Sequence, residues 1–165
     1  MSGPLFPYWR HRRPTRNFGD ALTDLYRLRL LAEPSPADRG VYFLVGSVLD
    51  EAWLRRGLRF ARERGGAAHY WTCGWRGSPV PDALLGAARV SAVRGPVTRR
   101  RLGLPPDMPV GDSALLLPLL HDPPATAIRH RRLLVPHFND PRRERMLHRP
   151  RDWGADAAAS PEVGG

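Results

Sequence analysis

The sequence predicts an α/β domain with a parallel sheet and helices on both faces, and three observations carry that prediction. Short apolar, β-rich runs recur at Val41 to Val45, Ala67 to Thr72 and Arg89 to Val93. Each is followed by a glycine-containing loop and then by a segment whose apolar residues have helical spacing. Parallel strands require that order, because each must be joined to the next by a crossover rather than a tight hairpin. Third, a 165-residue chain with 42% apolar residues supports one ordinary domain with a sizeable core, and is too short for two full α/β domains.

The elements follow in order. Asp20 to Leu31 is a helical candidate, with Leu22, Leu25, Leu28 and Leu31 at three-residue steps before Pro34 and Pro36 end it. Val41 to Val45 reads as a buried parallel strand leading into Gly46-Ser47. Asp50 to Arg64 is a helix with Trp53, Leu54, Leu58 and Ala61 on one face, stopped by Gly65-Gly66. Ala67 to Thr72 is the second strand, and Cys73-Gly74-Trp75-Arg76-Gly77 its exit loop. A short helix over Pro81 to Ala87 and a strand over Arg89 to Val93 come next. Pro96 to Leu102 is a helix with proline in its first turn, and Ala114 to Leu120 is a further buried apolar segment. His121 to Pro124 reads as a linker, Arg132 to Val135 as one more strand, and the stretch beyond Leu147 as a tail too poor in apolar residues to pack.

The formal charge of +10 points to an anionic partner, and all 26 basic residues of the Lys and Arg class are arginine. Biased coding composition accounts for that; planar, bidentate recognition of phosphate or carboxylate is the functional alternative. Nucleic acid is not expected as a partner. The basic clusters at Arg10 to Arg16, Arg129 to Arg132 and Arg142 to Arg151 accompany no reading helix, zinc finger or aromatic sheet motif. With Cys73 alone, intrachain disulfides and cysteine-rich metal sites are excluded. No run reaches the roughly 18 apolar residues of a membrane span, and Met1 to Pro14 lacks the apolar segment of a secretory signal. A cytoplasmic location is therefore expected.

Four segments join backbone scaffold to residues suited to a phosphate, a carboxylate or a sugar. In Asn17-Phe18-Gly19-Asp20, the glycine permits close approach of a ligand, while Asn17 and Asp20 can hold a sugar hydroxyl or cap the next helix. In Arg94-Gly95-Pro96-Val97-Thr98-Arg99, a fork-shaped donor at a strand end stands beside a helix N-terminus, where an anion is favoured. In Gly111-Asp112-Ser113, the carboxylate can orient a hydroxyl or a cation such as Arg94, or form an Asx-type turn. Gly46-Ser47 and Gly74 lie at predicted strand ends, where open α/β sheets place ligands. Trp75 can stack on a sugar ring or cover the core edge. His137, with Asn139 and Asp140 nearby, is the histidine set with a strand behind it and a carboxylate able to fix its tautomer. His11, His69, His121, His130 and His148 are scattered and read as ordinary polar residues.

In this order and at about this spacing, the segments resemble the polysaccharide pyruvyltransferase family over about Asn17 to Asp140. Asn17, Gly19 and Asp20 match its asparagine-glycine-aspartate turn, and Gly46 and Gly74 its strand-end loops. Arg94 to Thr98 matches its arginine-glycine-proline-leucine-threonine pattern with valine in fourth place, and Gly111-Asp112 its glycine-aspartate-proline pattern with Ser113 for proline. The resemblance implies a Rossmann-like sheet, as in the N-terminal half of a B-type glycosyltransferase fold. It also implies transfer of the enolpyruvyl group of phosphoenolpyruvate to a cell-wall or exopolysaccharide acceptor, giving a cyclic pyruvate ketal. Asn17, Gly19, Asp20, Gly46, Gly74, Arg94, Gly95, Thr98 and Asp112 would then bind donor or acceptor, with His137 the proton donor and no cofactor or metal. The alternative class is a non-catalytic anion- or glycan-binding or assembly protein.

The expected organisation is an N-terminal domain over 1–124, the start of an incomplete second domain over 125–147, and a disordered tail over 148–165. Val135 to Asp140 matches the opening strand and loop of the family's second domain, whose later positions have no counterpart here. A truncated member is the expectation, with weak or no turnover alone, an exposed apolar surface around Val110 to Leu120, and association with another copy or with a separate second-domain chain.

Overall fold

A computed structural model of the chain describes residues 3–7, 16–31, 35, 37–122, 127–137, 139–160 and 162–163. It divides into two compact units, Met1–Tyr8 with Leu22–His121, and Trp9–Ala21 with Asp122–Gly165. The expected boundary near 124 is therefore only one of the divisions, because residues 9–21 group with the C-terminal part.

Strand β1 (Arg16–Asn17) runs directly into helix α1 (Phe18–Arg29). Asn17 caps this helix: its Oδ1 accepts the Asp20 amide at 3.2 Å. The leucine repeat does not define the buried face. Leu22 and Tyr26 are buried, Leu25 is partly so, and Leu28 is 66% exposed. Steps of three fall behind a 3.6-residue turn, so successive leucines rotate off the face while Tyr26, four residues after Leu22, stays on it.

In the first unit, β2 (Val41–Phe43) leads to α2 (Glu51–Arg64), β3 (Ala68–Tyr70), α3 (Asp82–Ala87), β4 (Arg89–Val90) and α4 (Pro96–Arg101). β2 pairs with β3 and β3 with β4, all parallel. Isolated parallel bridges widen this ladder, Leu5 to Val41 on one side and Cys73 to Val93 to Val110 on the other. The expected parallel α/β arrangement is present. Its neighbours follow chain order, with no reversal among the described residues, so it lacks the switch point at which open sheets form their usual ligand crevice.

Alternation along β2 separates two apolar layers. Val41 and Phe43 face α2 with Leu54, Ala61, Tyr70 and Val93, while Leu44 turns towards Leu22 and Tyr26 of α1 with Tyr42 and Trp71 partly buried beside it. Phe43 and Tyr70 stack at 4.5 Å, and each large core side chain buried this way contributes about 1.5–3 kcal/mol. Asp50 starts α2 by accepting the Trp53 amide at 2.8 Å, and Gly65 ends it in left-handed conformation.

Ala114 to Leu120 is not the buried segment expected. It forms a 3-10 turn (Ser113–Leu116) and a short helix α5 (Leu117–Leu120). Asp112 caps the turn through the Ala114 amide at 2.9 Å, and proline in the first turn of α5 suits helix over strand. Leu115 and Leu119 are 75% and 77% exposed, and Val110 is exposed too, so apolar side chains do lie on the surface there.

The second unit holds β5 (Leu133–Leu134), α6 (Arg143–His148), a 3-10 turn (Pro150–Trp153), β6 (Ala157–Ala158) and β7 (Glu162–Val163). β5 and β6 pair in parallel, and β1 and β7 antiparallel. The stretch expected to be a disordered tail thus contains regular structure. Asp156 supplies the reason, since its amide donates to Arg132 O at 2.9 Å and its carboxylate accepts the Arg132 amide at 3.0 Å, so residues of low apolar content are tied by polar bonds.

Candidate functional site

The carboxyl ends of the parallel strands bring Gly46, Gly74, Arg94 and Thr98 together within the first unit. Past the ends of β2 and β3 the chain keeps its parallel register: Gly74 donates to Gly46 O at 2.9 Å, and Leu49 donates to Gly74 O at 3.0 Å. These bonds fix Gly46-Ser47 beside Gly74. Arg94 follows Val93 out of the sheet, its amide donating to Cys73 O at 3.0 Å.

Its guanidinium lies directly over Gly74, where any Cβ would meet Arg94 Nη2. Glycine leaves the space in which the Arg94 guanidinium sits, and a β-carbon there would push that side chain aside. Arg94 Nη2 donates to Ser47 Oγ at 2.8 Å, and Arg76 Nε donates to Ser47 O at 2.8 Å. Arg76 also pairs with the buried Asp50 at 3.4 Å. Two exposed guanidinium groups therefore end on one serine at the sheet edge.

Thr98 is buried, and its Oγ1 accepts the Trp75 amide at 3.2 Å, tying α4 to the Gly74 loop. Gly95 is the N-cap of that six-residue helix in extended backbone. Trp75 belongs to the core edge: it packs on the apolar cluster, gives its indole N–H to Ser78 O at 2.6 Å, and carries Arg101 at 5.8 Å from its ring. Cys73 is enclosed beneath the loop, and burial pushes its thiol up to about 12, which removes it as a nucleophile near neutral pH. Asp112 acts as the cap of the 3-10 turn and makes no ion pair with Arg94 among the described residues.

Asn17, Gly19, Asp20 and His137 belong to the second unit. Asn17 is the helix cap already described, and a β-carbon on Gly19 would press on its Oδ1 at 3.2 Å. His137 is exposed, and its Nδ1 accepts the Asn139 amide at 3.2 Å, which puts the proton of the neutral ring on Nε2. Asp140 is engaged elsewhere. Arg142 holds it at 3.2 Å and keeps its carboxyl below the ordinary range.

A polar depression outside the sequence-derived candidates lies at the opposite, amino edge of the sheet, lined by Asp38, Arg39, Gly40, Tyr42, Gly66, His69 and Arg89 among others. Its sequence signal was available: Asp38 and Gly40 form a turn immediately before β2, and His69 and Arg89 stand directly opposite each other in β3 and β4. Among the described residues no group of three His, Cys, Asp or Glu side chains has the geometry to hold a metal ion. Compared with known proteins, the chain matches no protein-family model, no curated protein and no solved structure.

Proposed function

We propose that this chain is a polysaccharide pyruvyltransferase-like transferase, acting on phosphoenolpyruvate and a saccharide acceptor. The observation that supports the reading is the meeting of Arg94 and Arg76 on Ser47 beside Gly74. Guanidinium forks suit both the phosphate and the carboxylate of this donor.

The reaction asks little of the protein beyond positioning and one proton. Protonation of the donor's methylene carbon makes C2 electrophilic; one saccharide hydroxyl adds there, the C2–O bond to phosphate breaks, and a second hydroxyl closes the ketal. Of the two hydroxyl protons, one replaces that given to the methylene and the other leaves with phosphate. His137 is the proposed acid: as imidazolium it would give up its Nδ1 contact with the Asn139 amide and donate a proton. One observation favours the rival reading of a non-catalytic anion- or glycan-binding protein: Asp140 is tied to Arg142.

Titration of phosphoenolpyruvate into the wild-type chain and Arg94→Ala tests the donor site. A loss of about tenfold or more in affinity is expected on removing one charge-assisted contact. Equal affinities would take Arg94 out of the site. Phosphate release with candidate cell-wall and exopolysaccharide acceptors, with product mass for the ketal, separates the two classes: donor binding without release at any acceptor supports the binding protein.

A further inference from the structure

We propose that the cavity at the amino edge of the sheet is a binding site for a phosphorylated sugar. It uses none of the residues assigned to the donor. It is a depression open to solvent, with a volume of ≈ 670 Å³, larger than a bare phosphate needs. Its wall is made by close backbone approach: a β-carbon on Gly66 would strike Arg39 O and C, and one on Gly40 would meet the Tyr42 ring at 2.5 Å.

The charges in this cavity are unbalanced in one direction. Arg39 and Arg89 line it, and neither guanidinium makes a hydrogen bond or ion pair among the described residues. Asp38, the one acid in the lining, already accepts the Gly40 amide and the Tyr42 hydroxyl, each at 2.8 Å, and forms no ion pair with either arginine. Neither fork is thus engaged by a protein anion among the described residues, the condition under which a ligand phosphate gains most from bidentate pairing.

The remaining lining suits hydroxyls better than hydrocarbon. Tyr42 donates to Asp38, so its oxygen retains lone pairs to accept from a sugar hydroxyl, and His69 offers a ring nitrogen. The His69 ring is held in place by stacking on Tyr42 at 4.5 Å, and Phe6 stacks on Tyr42 at 5.4 Å. Apolar lining is limited to small side chains such as Ala37 and Ala67.

The test follows the ring C2 proton of His69 by NMR in the full chain, assigned with His69→Gln, while glucose 6-phosphate is added at constant ionic strength. A saturable shift is expected, at least tenfold weaker for glucose or inorganic phosphate alone, and weakened about tenfold or more by Arg39→Gln or Arg89→Gln. No shift overturns the proposal, and so does equal binding of inorganic phosphate, which would mark an adventitious anion. Unchanged affinity in both variants also overturns it. Should Arg89→Gln fail to fold by circular dichroism, Arg39→Gln decides, because among the described residues the Arg39 guanidinium makes no hydrogen bond or ion pair whose loss would unsettle the fold.

Discussion

At the carboxyl edge of the first unit's sheet, Arg94 and Arg76 are engaged by Ser47 and Asp50, whereas at the amino edge Arg39 and Arg89 make no side-chain bond among the described residues and the acid Asp38 is the engaged group. The same residue types therefore have different standing at the two ends. Arg94 already gives one of its five N–H donors to Ser47, so an anion there meets a fork that is held in place but has donors left over. An anion at Arg39 or Arg89 breaks no guanidinium hydrogen bond or ion pair among the described residues. Glycine-rich loops at strand ends mark where a ligand can approach, but the availability of each arginine depends on which protein groups it already meets.

The largest expected contrast comes from making one substitution at both ends. Gly66→Val puts a side chain against the backbone of Arg39 and Gly40, which cannot move without disturbing the entry to β2. Overpacking of that kind costs about 1–3 kcal/mol. Gly74→Val meets only the far end of the Arg94 side chain, which can swing away. Its stability cost should be clearly smaller, while Arg94 loses its seat on Ser47. Urea unfolding of the two variants checks this, and equal losses would remove the distinction between a backbone wall and a side-chain seat.

Asp38→Ala is expected to cost about 1–2 kcal/mol, because it orphans the Gly40 amide and the Tyr42 hydroxyl together. Its acid dependence has a definite sign. The Gly40 amide first, and the Tyr42 hydroxyl after it, hold the Asp38 carboxyl below its ordinary value of 3.8. The stabilisation is then present above that value and is lost as pH falls through the lowered one. Wild type and variant should converge in stability on acidification. A gap that stays constant to the lowest pH at which both fold would mean that the carboxylate charge contributes nothing.

Much of the sheet was legible because apolar runs, loops and helical spacing agree with one another from Val41 to Leu102. The α2 helix was expected at Asp50 to Arg64 and lies at Glu51–Arg64, with Asp50 as its cap. Ala114 to Leu120 misled because an unbroken apolar run has no period, so a strand and a short helix look alike until the cap at Asp112 and Pro118 are weighed. At the carboxyl edge, Gly46, Gly74 and Arg94 were readable from strand-end glycines, but Arg76 meeting Ser47 across 29 residues of chain was not. The amino-edge cavity stayed hidden since its residues come from three separated segments. His69 looked isolated along the chain and gains its neighbours only through strand pairing.

His69 gives the finest test of the charge balance at the amino edge. Burial holds its pKa below the ordinary 6.5, Arg89 adds to that, and Asp38 acts in the opposite sense. The ring is therefore neutral in the fold at neutral pH, whereas the unfolded chain takes up the proton at about the ordinary value. The contribution to stability is fully present above 6.5 and is lost as pH falls from there through the lowered folded value. Following the ring C2 proton against pH, Arg89→Gln should raise the midpoint and Asp38→Asn should lower it, by shifts smaller than that caused by burial itself. If neither substitution moves the midpoint, Arg89 and Asp38 do not act on this ring through space. The amino edge would then be a set of independently solvated side chains, with no net field to draw an anion between them.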